Sequence, residues 1–170
     1  MSIPSELYTI PECIEVARLP MGGARLPYDD EKPARRCAGG LALSLDGEWR
    51  FMLCHTPSEA PADFASCEFN DSQWRMIDVP SHWTLQNTFD RPIYTNSLMP
   101  FANCPPDVPV ENPTGLYRRY FELPTQLPAR IVLQIGGAES YLEVWCNGRF
   151  VGMGKDTRLA SEFDLTPYIH

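Results

Sequence analysis

The 170-residue sequence lacks the motifs that mark a self-sufficient active site. It has no Gly-x-Ser-x-Gly for a serine nucleophile and no Gly-x-Gly-x-x-Gly opening a helix for a dinucleotide. Gly152-Met153-Gly154 follows an apolar run but precedes no helical pattern, so it reads as a turn. No Cys-x-x-Cys occurs among the six cysteines, and with no secretion signal they are expected to be free thiols. His55, His82 and His170 have no histidine neighbour at i+2 or i+4 and no cysteine cluster beside them, so no metal site is expected. Basic runs never exceed the pairs Arg35-Arg36 and Arg118-Arg119, and the net charge is −8. That balance speaks against nucleic acid and anionic membranes as partners. No apolar stretch reaches membrane-spanning length, and Pro4, Glu6, Pro11 and Glu12 interrupt any signal-peptide core. The expectation is a soluble, cytoplasmic protein.

Long helical patterns are missing too. The 17 prolines cut the chain into short segments, and where a period exists it is two. Residues 1–40 show neither period, but Ile10, Ile14, Val16, Leu19 and Leu26 are apolar anchors. They favour an ordered arm over a free tail, with a short helix around Asp29 to Cys37. From residue 41 to 170 the reading is a sandwich. Asp46-Gly47 feeds a strand with Trp49, Phe51 and Leu53 on one face. Arg75 to Val79 is a short strand closed by Pro80. Leu116 to Leu123 alternates again, and Phe163 to Ile169 reads as an edge segment.

The clearest signal is Tyr141 to Gly152. Asn147-Gly148 is the dipeptide that most readily takes φ > 0 twice, as a two-residue hairpin turn requires. A simple register pairs Cys146 with Arg149, Trp145 with Phe150 and Val144 with Val151. Short strands separated by proline and glycine predict an all-β sandwich of jelly-roll type, preceded by an extended arm.

Chemistry is harder to find. Carboxylates are plentiful, but spacing pairs none of them for glycoside hydrolysis. Glu143 alternates with Leu142 and Val144 and reads as a solvent-face residue. The stretch from Ser81 to Pro113 has no period, and unstructured loops of that length in compact domains are usually functional. Trp83, Gln86, Asn87, Tyr94, Asn96 and Asn103 mix ring faces with amides, which suits sugar hydroxyls and the apolar faces of pyranose rings. The competing reading is that these asparagines make turns and the aromatics fill a core.

Several ordered segments share a further property. They are Leu45-Asp46-Gly47-Glu48-Trp49-Arg50-Phe51, Val79-Pro80-Ser81-His82-Trp83, Pro92-Ile93-Tyr94-Thr95-Asn96, Glu111-Asn112-Pro113-Thr114-Gly115 and Trp145-Cys146-Asn147-Gly148-Arg149-Phe150-Val151-Gly152. Together with Arg158 to Leu165, they resemble the N-terminal domain of bacterial β-galactosidases of glycoside hydrolase family 2. The resemblance implies a jelly-roll domain with an arm, stopping before its last strands. It also implies that the catalytic glutamates of a retaining enzyme lie in a later barrel domain, beyond His170, along with any Mg2+ of that barrel. No catalytic residue and no cofactor is therefore expected in this chain. The family's substrate-contacting asparagine corresponds to Asn96, with Tyr94 and Trp83 as weaker candidates. A β-galactoside such as lactose would be the substrate, and the full-length protein a homo-oligomer. Some members hold a divalent cation between arm and sandwich. Here Tyr8-Thr9-Ile10-Pro11 offers neither acid nor amide, and Lys155 stands where a glutamine would, so no metal is expected. The alternative is a stand-alone, non-catalytic carbohydrate-binding or structural sandwich.

Overall fold

The computed structural model describes residues 6–20, 22, 26–37, 40–94 and 106–169. Among them eight strands form: β1 Glu15–Val16, β2 Gly47–Cys54, β3 Arg75–Val79, β4 Thr114–Arg118, β5 Val132–Ile135, β6 Leu142–Cys146, β7 Arg149–Gly154 and β8 Ser161–Asp164. The one α-helix among them, α1, spans Glu31–Arg35, with the Asp30 side chain accepting from the Glu31 N–H at its start. The chain divides into two compact units, Met1–Cys13 with Asp46–Glu122 and Ile14–Leu45 with Leu123–His170.

In the first unit, β2 is the centre of an antiparallel sheet ordered β3-β2-β4. Cys54 and Leu116 bury one face against Trp74, with Phe64 and Phe69 packed around them. Asp71, buried on the connection between β2 and β3, ties that segment to the sheet. Arg118 Nε lies 3.5 Å from its Oδ2, Arg50 Nε lies 4.0 Å from its Oδ1, and the Tyr120 hydroxyl donates to Oδ2 at 3.1 Å. Arg118 also donates to the carbonyls of Phe64 and Ser66. Strand β4 ends at Arg118, five residues before the expected alternation does. Its pairing with β2 stops at Arg50↔Arg118, and beyond that the Arg119 guanidinium, not the backbone, reaches the Glu48 carbonyl.

The second unit holds two sheets, β1-β7-β6 and β5-β8. Val144 and Val151 from one and Phe163 from the other share a core with Leu165, lined further by Ile131, Leu133 and Ile135. Two sheets closed over one apolar layer make this an all-β sandwich. The arm is ordered. The Lys155 N–H donates to the Ile14 carbonyl at 2.9 Å, β1 pairs with β7, and the Leu19 N–H then donates to the Glu162 carbonyl at 2.8 Å. Between these contacts Ala17 turns the backbone at φ 51°, and Arg18 bridges Phe163 of β8. Residues 14–19, six in all, thus run along β7 and then β8.

The hairpin turn is where the sequence places it, with Asn147 at φ 48° and Gly148 at φ 76°. Trp145 pairs with Phe150 and Cys146 with Arg149, but the third pair differs. A bulge between Val144 and Trp145 sets Val144 opposite Gly152, leaving Val151 as the extra residue. The segment Gly152-Met153-Gly154 is accordingly strand rather than turn, because β1 covers it. Strand β8 begins at Ser161 and gives way to a 3-10 turn, Thr166–Tyr168, instead of continuing to Ile169 as an edge strand. Pro167 has no N–H to offer a ladder there.

Candidate functional site

Asn96 and Asn103 lie outside the described residues; Trp83, Gln86, Asn87 and Tyr94 lie within them. The loop that leads to Tyr94 is closely tied to the first sheet. His82 opens a 3-10 turn, Trp83–Leu85, whose end is fixed by Asn87 at φ 57°. Asparagine tolerates that left-handed backbone well, so Asn87 is a turn asparagine. Arg75 donates to the carbonyls of Gln86, at 2.6 Å, and Asn87, at 3.3 Å, while Gln86 Nε2 donates to Ser81 Oγ at 3.1 Å. The Gln86 side chain and the Asn87 backbone therefore serve the loop's own geometry.

Trp83 anchors the loop. Its ring is half-buried and stacks on Phe51, centroids 6.2 Å apart, with Tyr117 tilted 6.4 Å away. Gly115 makes the approach possible: a Cβ there would sit 2.8 Å from two ring carbons of Trp83 and 2.9 Å from Phe51. The indole N–H donates to Asp90 Oδ2 at 2.7 Å, and buried Thr88 donates to the main-chain carbonyls of both Trp83 and Asp90. An indole whose N–H is committed in this way offers a ligand its ring face or edge. The sequence held no sign of Asp90 or Thr88 as partners, because nothing in their spacing distinguishes them from turn residues. Phe89 stacks on His55 at 4.0 Å, joining the loop to the end of β2. Tyr94 is 71% exposed. Tyr117 keeps 37% of its surface exposed, yet partial desolvation beside Trp49, Phe51 and Trp83 pushes its phenol up to about 12.

Glu143 departs from the solvent-face reading. It is half-buried, and its carboxylate accepts from the Tyr141 hydroxyl at 2.5 Å and from Trp145 Nε1 at 3.2 Å. Residues at i±2 share a strand face, and here both happen to be aromatic donors. Lys155 carries its ammonium 6.0 Å from the Tyr141 ring centre. A cation in that position does not fit a divalent metal. Among the described residues no three His, Cys, Asp or Glu side chains gather as ligands. None of the five described cysteines is in a disulfide, and burial followed by the Glu59 charge raises the Cys54 thiol. No helix among the described residues is long and apolar enough to cross a membrane.

Trp83 is a packed aromatic anchor within the first unit, and the two sheets of the second unit form a β-sandwich. The sugar-binding domain model of glycosyl hydrolases family 2 matches residues 42–170, and the chain belongs to that family. It is 46% identical over 143 residues to a β-galactosidase of Vibrio cholerae, covering 84% of this chain and 14% of that protein. A β-galactosidase of Photobacterium profundum is 38% identical over 162 residues, covering 94% of this chain and 15% of its own length. The chain thus spans about one seventh of the curated relatives it matches. Among solved structures, a β-glycosidase from Bacteroides vulgatus aligns over 75% of this chain and 15% of its own, with TM-score 0.52 and 26% identity. A Bacteroides uniformis β-glucuronidase shares the fold over 75% of this chain and 13% of its own, with TM-score 0.50 and 21% identity.

Proposed function

We propose that this chain is the N-terminal part of a retaining β-galactosidase that hydrolyses terminal β-D-galactosides such as lactose in the cytoplasm. Its share of the work is scaffold, assembly contacts within a homo-oligomer, and one substrate contact through Asn96. The observation that carries this reading is the set of relatives named β-galactosidase, aligned across most of the chain. The acid and nucleophile of the reaction, and any Mg2+, belong to a later domain in this reading. The chain's own residues hold a loop in place. Trp83, pinned by Phe51, Gly115 and Asp90, fixes one end, and in this reading Asn96 supplies the contact to sugar, with Tyr94 a weaker candidate.

An amide suits that task because it donates to one hydroxyl and accepts from another. Such a bond contributes about 0.5–1.5 kcal/mol net, and more where it strengthens in the transition state. Asn96→Ala in the full-length enzyme is expected to lower kcat/KM roughly tenfold or more while Tm stays put. Unchanged kinetics, or activity lost only because the protein unfolds, would make Asn96 a turn residue. The 170-residue chain alone should turn over no chromogenic galactoside. Turnover by the purified chain would overturn the assignment of catalysis to a later domain.

A further inference from the structure

The hairpin tip does more than reverse the chain. Asn147 Nδ2 donates to the Tyr168 carbonyl at 2.8 Å. Arg149 donates to the Pro167 carbonyl at 2.9 Å, and its guanidinium lies 4.6 Å over the Tyr168 ring. These contacts latch the turn between β6 and β7 onto the 3-10 turn Thr166–Tyr168. Both turn residues, Asn147 and Gly148, are exposed. Of the six asparagines in the sequence, only Asn147 precedes a glycine. A following glycine presents its main-chain nitrogen with no Cβ to hinder attack on the neighbouring side-chain amide.

We propose that Asn147 is a site of spontaneous deamidation, and that its modification loosens this latch. The deprotonated Gly148 nitrogen bonds to Asn147 Cγ, the Cγ–Nδ2 bond breaks, and ammonia leaves. Water then opens the resulting five-membered imide to aspartate or to isoaspartate, with no change of oxidation state. An aspartate tolerates the left-handed backbone but has only acceptors to set against the Tyr168 carbonyl. An isoaspartate lengthens the main chain by one carbon and spoils the two-residue turn. Either product removes the Asn147 contact and leaves Thr166–Tyr168 held at the hairpin tip by Arg149 alone, so the latch loosens. The latch in turn restrains the reaction, since the Asn147 side chain must leave Tyr168 before Gly148 can reach it.

The test is to incubate the folded chain in mildly alkaline buffer and follow every asparagine-containing peptide by mass. The 147–148 peptide should gain one mass unit and become sensitive to isoaspartate-specific chemistry ahead of the others. Arg149→Ala, which loosens the latch and leaves Asn-Gly intact, should speed that gain about fivefold, as loss of one hydrogen bond implies. Fresh Asn147→Asp should exchange its Thr166 and Tyr168 amides roughly fivefold faster than the parent. Asn147→Gly keeps the turn, removes the donor and cannot deamidate, so it should show the same exchange with no mass gain. Modification spread evenly over the asparagines, or sparing Asn147 while others react, would overturn the site. Parent-like exchange in both variants would overturn the latch.

Discussion

The carbonyl oxygen of Val16 in β1 occupies the space where any side chain on Gly152 of β7 would begin, and the Phe163 ring closes the same space at 2.9 Å. A backbone oxygen cannot swing aside as a side chain tip can. Gly152→Ala should therefore cost roughly 3 kcal/mol and lift β1 off β7. Urea melts read the first effect, and faster exchange of the Lys155 and Leu19 amides reads the second. An unmoved midpoint would mean the arm adapts.

Gly115 has the same kind of role under Trp83, with aromatic carbons on both sides. Gly115→Ala should cost about 1–3 kcal/mol and push the indole off Phe51. A shifted Trp83 emission, isolated by replacing the other three tryptophans with phenylalanine, checks the displacement. Unaltered emission and melting would show the stack to be loose.

Tyr117 gives a pH dependence whose sign is fixed. Its phenol is raised from 10.0 to about 12 in the folded chain, so the folded state holds that proton more tightly than the unfolded state does. The contribution is complete below pH 10 and disappears as pH climbs through about 12. Tyr117→Phe, which cannot ionise, should lose less stability than the parent across that window. Parallel stability curves for the two proteins would refute the assignment.

Arg118 and Asp71 form a shielded pair, with side chains 13% and 12% exposed. Removing Arg118 takes the nearer, better shielded cation from the buried Asp71 carboxylate and leaves it only the more exposed Arg50 at 4.0 Å and the Tyr120 hydroxyl. Arg118→Met should cost about 3 kcal/mol in chemical denaturation. It should also free the Phe64 and Ser66 carbonyls, which proteolysis of residues 57–74 would report. A loss near zero would mean water already screens the pair.

The sequence disclosed what was local. Asn147-Gly148 specified its turn, the stretch from Asp29 to Cys37 its short helix, and Pro80 the end of β3, because each acts within a few residues. What it could not disclose was set from a distance. The bulge after Val144 depends on β1, more than a hundred residues away, covering Gly152. The early end of β4 depends on Arg119 reaching Glu48. At the loop, the aromatic and amide composition drew attention to the right stretch, yet Gln86 and Asn87 proved to serve Arg75 and the turn. Trp83 depends on Asp90 and Gly115, neither of which looks functional in a list of residues.

The short border from Ile14 to Leu19 also sets an order of events. Its partners, Lys155, Gly154, Met153 and Glu162, are made roughly 140 residues later than the border itself. Hairpin β6–β7 can close within microseconds of emerging, whereas the border must wait for residues 153–162. A segment made early is thus paired only late. Until it does, two sheet edges stay open together, so a holding chaperone that recognises unpaired strands would meet its substrate there and be dismissed from both edges by one closing step.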